Sequence, residues 1–262
     1  MGFGDLIQYA VVLALLLSLA YFILKQIGVI GVKKPVITET GERGTKKVKA
    51  TRSHVLICGP SGSGKTALLN YLGVKEWRET VSSIDITRAT FTVSSQIAAE
   101  TSDGEAVKKS VKLKYVDVPG HQHYTEDLLD SAETASTILL VIDSKIQMTH
   151  GQAAEILYEM LNSSRVVVDE QLPIMIVCNK QDQQYAKKAT AIEMELEKEI
   201  EELKRARVAT RDPDREYVGY IESMKGRFEF KNESSYIKFC EASVKDGNVE
   251  EILKFIVKAH LK

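Results

Sequence analysis

The eight residues Gly59, Pro60, Ser61, Gly62, Ser63, Gly64, Lys65 and Thr66 constrain this chain more than any other feature. They fit G-x4-G-K-[ST] in the setting that pattern needs, after the apolar run His54-Val55-Leu56-Ile57-Cys58 and before a helical stretch over residues 67–72. Such a loop wraps successive backbone N–H groups around phosphate oxygens, and the helix that follows adds the positive end of its dipole. Lys65 is then positioned for the β and γ phosphates and the Thr66 hydroxyl for Mg2+, with Ala67 closing the binding run. The motif demands a nucleotide and says nothing of its base.

The rest of the domain alternates strands with helical stretches. Residues 111–116 alternate apolar and polar, as a strand exposed on one face does, and residues 87–93, rich in β-branched side chains, read as an edge strand. Residues 138–142 and 174–178 are continuous apolar runs, as in central parallel strands covered on both faces. Residues 236–240 read as the last strand, with a helix from about Val249 to the end. The pattern predicts an α/β fold with a mostly parallel, doubly wound sheet and its ligand at the carboxyl ends of the strands. Residues 186–233 form a longer helix-plus-loop region. Ala189, Ile192, Leu196, Ile200 and Leu203 at helical spacing predict an amphipathic helix packed on the sheet, and residues 208–226 read as polar and irregular.

Three further stations carry chemistry. Asp117-Val118-Pro119-Gly120 follows a strand, so Asp117 is suited to hold Mg2+ and the Gly120 N–H to approach a γ-phosphate. Asn179-Lys180-Gln181-Asp182 selects the base: the Asp182 carboxylate accepts from both N1–H and the N2 amino group of guanine, and adenine offers neither donor. Lys180 would lie along the base, and Asn179 would tie this loop to the phosphate loop. Ser243 and Val244 follow the last strand, the latter presenting a backbone N–H to guanine O6.

Ahead of this domain, residues 6–24 hold nineteen residues without a formal charge. As a helix they cover roughly 28 Å, about the thickness of a thin bilayer core. Residues 1–27 therefore read as a transmembrane anchor, with neither the basic start nor the small-residue cleavage site of a signal peptide. The first 52 residues carry eight basic against three acidic side chains, a net +5, so the remainder carries −6 of the overall −1. The basic side chains lie after the apolar run, which predicts a cytosolic nucleotide domain, 53–262, joined by a basic linker, 28–52, able to touch anionic headgroups. Cys58, Cys178 and Cys240 form no pairing or zinc-type pattern and read as buried thiols, which excludes a secreted disulfide scaffold. The net charge gives no sign of a nucleic-acid surface.

In order, the four stations resemble those of Ras-like small GTPases. Together with the anchor, the sequences D-V-P-G-H and C-N-K-Q-D, and the charged helix over residues 186–207, the chain resembles the β subunit family of the signal recognition particle (SRP) receptor along nearly its whole length. Translation GTPases share D-V-P-G-H but lack an anchor. An ADP-ribosylation-factor-like GTPase of vesicle traffic, with its own activating protein, is the alternative. The resemblance implies GTP and GDP with Mg2+ as ligands and slow or partner-dependent hydrolysis. It implies residence in the endoplasmic reticulum membrane, recruitment of the receptor α subunit through its N-terminal domain, and work beside ribosome and translocon. It also makes Thr80, Val81, Ser82 and Ser83 the first switch. Ser83 is the aligned ligand for Mg2+ beside Thr66 and Asp117, with Thr80 and Thr87 as alternatives. His121 stands where Ras proteins carry a water-orienting Gln: either it orients the attacking water or it contacts a partner, and Gln122 and His123 are close enough to share the role.

Overall fold

The computed structural model describes residues 52–80, 83–98, 106–210 and 218–260. The anchor, the linker up to Thr51, and Val81 and Ser82 lie outside the described residues. The chain runs through β1 (His54–Cys58), α1 (Lys65–Val74), β2 (Thr87–Ala98), β3 (Ala106–Asp117), α2 (Thr125–Thr134), β4 (Ala135–Asp143), α3 (Met148–Ser163), α4 (Arg165–Asp169), β5 (Ile174–Asn179), α5 (Ala189–Ala209), α6 (Tyr220–Ser223), β6 (Ile237–Glu241) and α7 (Glu250–Ala259). The six strands form one sheet in the order β2-β3-β1-β4-β5-β6. All neighbours are parallel except β2 and β3, an antiparallel ribbon whose register runs unbroken from Thr87 opposite Asp117 to Ala98 opposite Ala106.

The continuous apolar strands are continuous because both of their faces are covered. In β4, Ile138, Leu140 and Ile142 enter one core and Leu139 and Val141 the other, all fully buried. Side chains of α2, α3 and α5 fill the first core, and those of α1 and α7 the second. One reading is refined and one corrected. The expected helix is present as α5 and buries Ile192, Leu196 and Ile200 in the core under the sheet, packing most extensively against α3 and also against β6. The stretch read as irregular contains α6, pinned where Ile221 N–H donates to Asn162 Oδ1 at 2.8 Å, while Lys204 Nζ donates to the Met224 and Gly226 carbonyls. All three cysteines are free and buried. Among the described residues no helix is long and apolar enough to cross a membrane.

Candidate functional site

Every parallel strand delivers its carboxyl end to one edge of the sheet, and the motif residues collect there. The loop from Gly59 to Gly64 leaves β1 and turns into α1, which has no side-chain cap and no acidic residue in its first turn. The positive end of α1 is therefore unopposed where Lys65, Thr66 and Ala67 line a cleft of about 200 Å3. Gly64 sits at φ 98°, and a β-carbon there would lie 2.4 Å from Asn179 Nδ2, so the turn needs glycine. Gly120 is pressed as closely, for its β-carbon would stand 2.4 Å from both the Gly59 carbonyl oxygen and the Ser61 nitrogen.

Three oxygen donors converge beside the loop. Thr66 Oγ1 donates to Asp117 Oδ2 at 2.7 Å and lies 2.6 Å from Ser83 Oγ. A hydroxyl has one proton, so the Ser83 hydroxyl donates to Thr66. Asp117 is fully buried, and its Oδ1 has no partner among the described residues. Burial raises the Asp117 pKa above the ordinary carboxylate value, against the hydrogen bond from Thr66 and the charge of Lys65. Burial likewise lowers the pKa of Lys65, whose Nζ donates to the Pro60 carbonyl at 2.8 Å. A buried carboxylate oxygen without a donor, beside two hydroxyls, fits a hard cation that takes oxygen ligands and retains waters or phosphate in its shell. Among the described residues no group of three or more His, Cys, Asp or Glu gathers elsewhere as a metal site.

Asn179, buried at the end of β5, donates from Nδ2 to the Ser63 carbonyl at 2.9 Å and accepts at Oδ1 from the Val244 N–H at 3.2 Å. It thus ties the phosphate loop to the β6–α7 loop, and it occupies the Val244 N–H expected to face a base. Lys180, at φ 66°, spans the same gap, donating to the Gly62 carbonyl at 2.7 Å and to Asp143 Oδ2 at 2.6 Å. Asp182 is exposed and accepts from the Ser243 hydroxyl at 3.0 Å, across 61 positions of sequence. Ser61, Gly62, Thr80, Ser83, Gly120 and Lys180 line the cleft together with the start of α1, whereas Asp182, Ser243 and Val244 stand outside it.

His121 is exposed, accepts at Nδ1 from the His123 N–H, and does not line the cleft. Sequence reasoning missed five residues here, Asp143 beneath Lys180 and four more around the cleft. Trp77, Arg78 and Glu79 form a cleft wall before the first-switch segment. The Tyr124 hydroxyl donates to the Ile84 carbonyl and so joins the chain after Gly120 to the chain after Ser83. None of these has a spacing signal; only the aromatic in a polar stretch at Trp77 marks a site.

Fold and site together define a phosphate-loop α/β protein of the nucleotide-binding class. Residues 50–239 match the family described as the signal recognition particle receptor beta subunit. The SRP receptor subunit beta of Mus musculus is 29% identical over 222 residues, spanning 80% of this chain and 78% of the mouse protein. The solved structure of the mammalian SRP receptor superposes with a TM-score of 0.58 at 28% identity, over 79% of this chain and 99% of that one. The SRβ–GTP/SRX complex from Chaetomium thermophilum superposes with a TM-score of 0.60, over 78% and 99%, at 18% identity, a likeness of fold. The chain belongs to the SRP receptor beta subunit family.

Proposed function

We propose that this chain is the membrane-anchored GTP switch of an SRP receptor, holding the receptor α subunit at the endoplasmic reticulum for cotranslational targeting. The observation that carries the reading is the hydroxyl of Ser83 on that of Thr66, beside Asp117. It joins the first-switch segment to the phosphate loop at the place a divalent cation would occupy.

In this reading Thr66, Ser83 and Asp117 hold Mg2+, which, when bound, neutralises charge on the β and γ phosphates. Lys65 leaves the Pro60 carbonyl for the phosphate oxygens, and the α1 N–H groups complete the cradle. Asp182 reads the guanine edge while Ser243 orients its carboxylate, and Lys180 borders the base. The Tyr124–Ile84 hydrogen bond joins the chain after Ser83 to the chain after Gly120, so both switch segments respond to the terminal phosphate as one. His121 lies exposed outside the cleft, which supports slow hydrolysis that waits on a partner rather than an autonomous catalyst. The apolar run at residues 6–24 supplies the anchor, and a cytosolic domain follows from the basic residues after it. The partner named with the Chaetomium relative supports an α-subunit domain as the ligand of the switches.

The test is the affinity of the full chain, in detergent, for the α subunit's N-terminal domain with GDP and with a non-hydrolysable GTP analogue. A preference of about a hundredfold for the GTP form corresponds to about 2.7 kcal/mol, within reach of a few charge-assisted hydrogen bonds. Equal affinities would leave a constitutive anchor in place of a switch.

A further inference from the structure

The β2–β3 ribbon has an exposed flank that the nucleotide site does not use. β2 is the outermost strand of the sheet and twelve residues long, and among the described residues β3 is its only strand neighbour. Long free edges are normally blunted by lysine, proline or a bulge. Here residues 89–98 contain no charge and no proline, and the pairing with β3 runs without a bulge.

The ribbon's two faces differ sharply. Register puts Thr90, Thr92 and Gln96 on one face opposite Lys114, Lys112 and Lys108, with Arg88 beside them, and all of these side chains are exposed. The other face carries Ala89, Phe91 and Val93 of β2, packed in the α1–α7 core, with Phe91 stacked on Tyr115 at 4.1 Å. The only acidic residue in either strand is Asp117, at the far end in the phosphate site. Asp127 and Asp130 of α2 face Arg88 and Lys114 across a groove at the ribbon's root; among the described residues this leaves Lys108 and Lys112 uncompensated on that face, with Lys109 on the other.

We infer that the free edge of β2 receives an extended segment of a protein partner in which acidic and apolar residues alternate. Backbone hydrogen bonds to the open edge supply affinity, and the two-residue period of a strand sends alternate side chains to opposite faces. The acidic set then lies above the basic face. Neighbouring strands are about 4.8 Å apart, so the lysines of β3 stand about 9.6 Å from the added strand. Thr90, Thr92, Ser94 and Gln96, all uncharged, lie between, and a lysine extended over them reaches a glutamate on the far side. The apolar set continues the surface begun by Ala89, Phe91 and Val93.

The test uses the full chain in detergent and fluorescent peptides of alternating Glu and Val, or of alternating Lys and Val. The Glu–Val peptide should bind about tenfold more tightly, with the gap closing as salt rises. N-methylation of alternate amides in that peptide should abolish binding, and hydrogen exchange should show new protection within β2. The exposed double substitution Lys108→Glu and Lys112→Glu should reverse the preference. Equal binding of the two peptides, indifference to N-methylation, or protection elsewhere on the molecule would overturn the inference. So would lysine-dependent binding to anionic vesicles or to RNA in place of the peptide.

Discussion

Replacing Asn179 by alanine should separate the phosphate loop from the loop after β6. The side chain makes two hydrogen bonds, both to backbone groups: it donates to the Ser63 carbonyl at 2.9 Å and accepts from the Val244 N–H at 3.2 Å. Ser63 and Val244 are almost wholly buried, so water cannot easily replace the lost partner. Each such bond is worth about 1 kcal/mol net, and a buried group left without a partner adds about 1–3 kcal/mol. A loss of about 3 kcal/mol is expected, far beyond the roughly 0.5 kcal/mol of an ordinary surface change. Trp77 is the only tryptophan and lines the cleft, so urea unfolding of the full chain in detergent can be followed by its fluorescence. With a slope of about 2 kcal/mol per molar urea, the midpoint should fall by about 1.5 M with the slope unchanged. Asn179→Asp gives an internal control: near neutral pH it should be as damaging as alanine, because a carboxylate cannot donate to the Ser63 carbonyl. Lowering the pH should restore part of the loss, because the protonated carboxyl can. An alanine variant within about 0.5 kcal/mol of the parent would refute the claim that this side chain holds the two loops together.

Three other perturbations have defined outcomes. Asp182→Asn should shift preference from GTP toward xanthosine triphosphate, since an amide donates to the xanthine O2; an unchanged preference in a binding titration would remove Asp182 from base recognition. Glu241 accepts from the Ala189 N–H at 2.9 Å at the start of α5 and from Lys188, and these bonds hold its pKa below the usual value. A depressed carboxylate contributes stability above its unfolded pKa and loses it as pH falls through the folded one. Glu241→Gln should therefore cost about 1 kcal/mol near neutral pH, with the difference from the parent shrinking once the pH falls below the ordinary glutamate value of about 4.3 and on through the depressed folded one, in denaturant titrations. Burial pushes the Cys58 and Cys178 thiols up to about 12 and raises that of Cys240 as well. A thiol reagent should find no reactive cysteine in the native domain and three after unfolding, and rapid native labelling would contradict the burial.

The sequence was most readable where one physical demand acted alone. β1, β4 and β5 lie in the middle of the sheet and must be apolar on both faces, so uninterrupted runs located them to within three residues. The ribbon was recognised but judged too short: β2 continues to Ala98 and β3 begins at Ala106, where the exposed polar face erases the apolar signal. α3 went unread because its buried face includes Thr149, His150 and Asn162. Burial is tolerated there because the His150 ring meets Glu195 and the Asp143 carbonyl, and Asn162 caps α6, contacts that exist only once the helices have packed. In the site, the motif residues were found because each has a fixed spacing to its strand. Asp143, Tyr124 and Trp77 were not, since their partners Lys180, Ile84 and the cleft come from distant segments with no common period.

The double tether of Asn179 and Lys180 to the loop at Gly62 and Ser63 also bears on the kinetics of ligand exchange. The loop after β5 and the phosphate loop, assigned to base and phosphate in the proposed function, are set at a fixed separation by the protein's own hydrogen bonds, so their ordering is settled during folding rather than at encounter. Between these two loops an arriving nucleotide has little chain to organise, so the first association step should be limited by collision and orientation, with the switch segments responding afterwards. Discrimination among nucleotides is then written in their residence times, and a factor that speeds exchange has a specific target: the span between Lys180 and Gly62, whose opening would loosen both ends of the ligand at once.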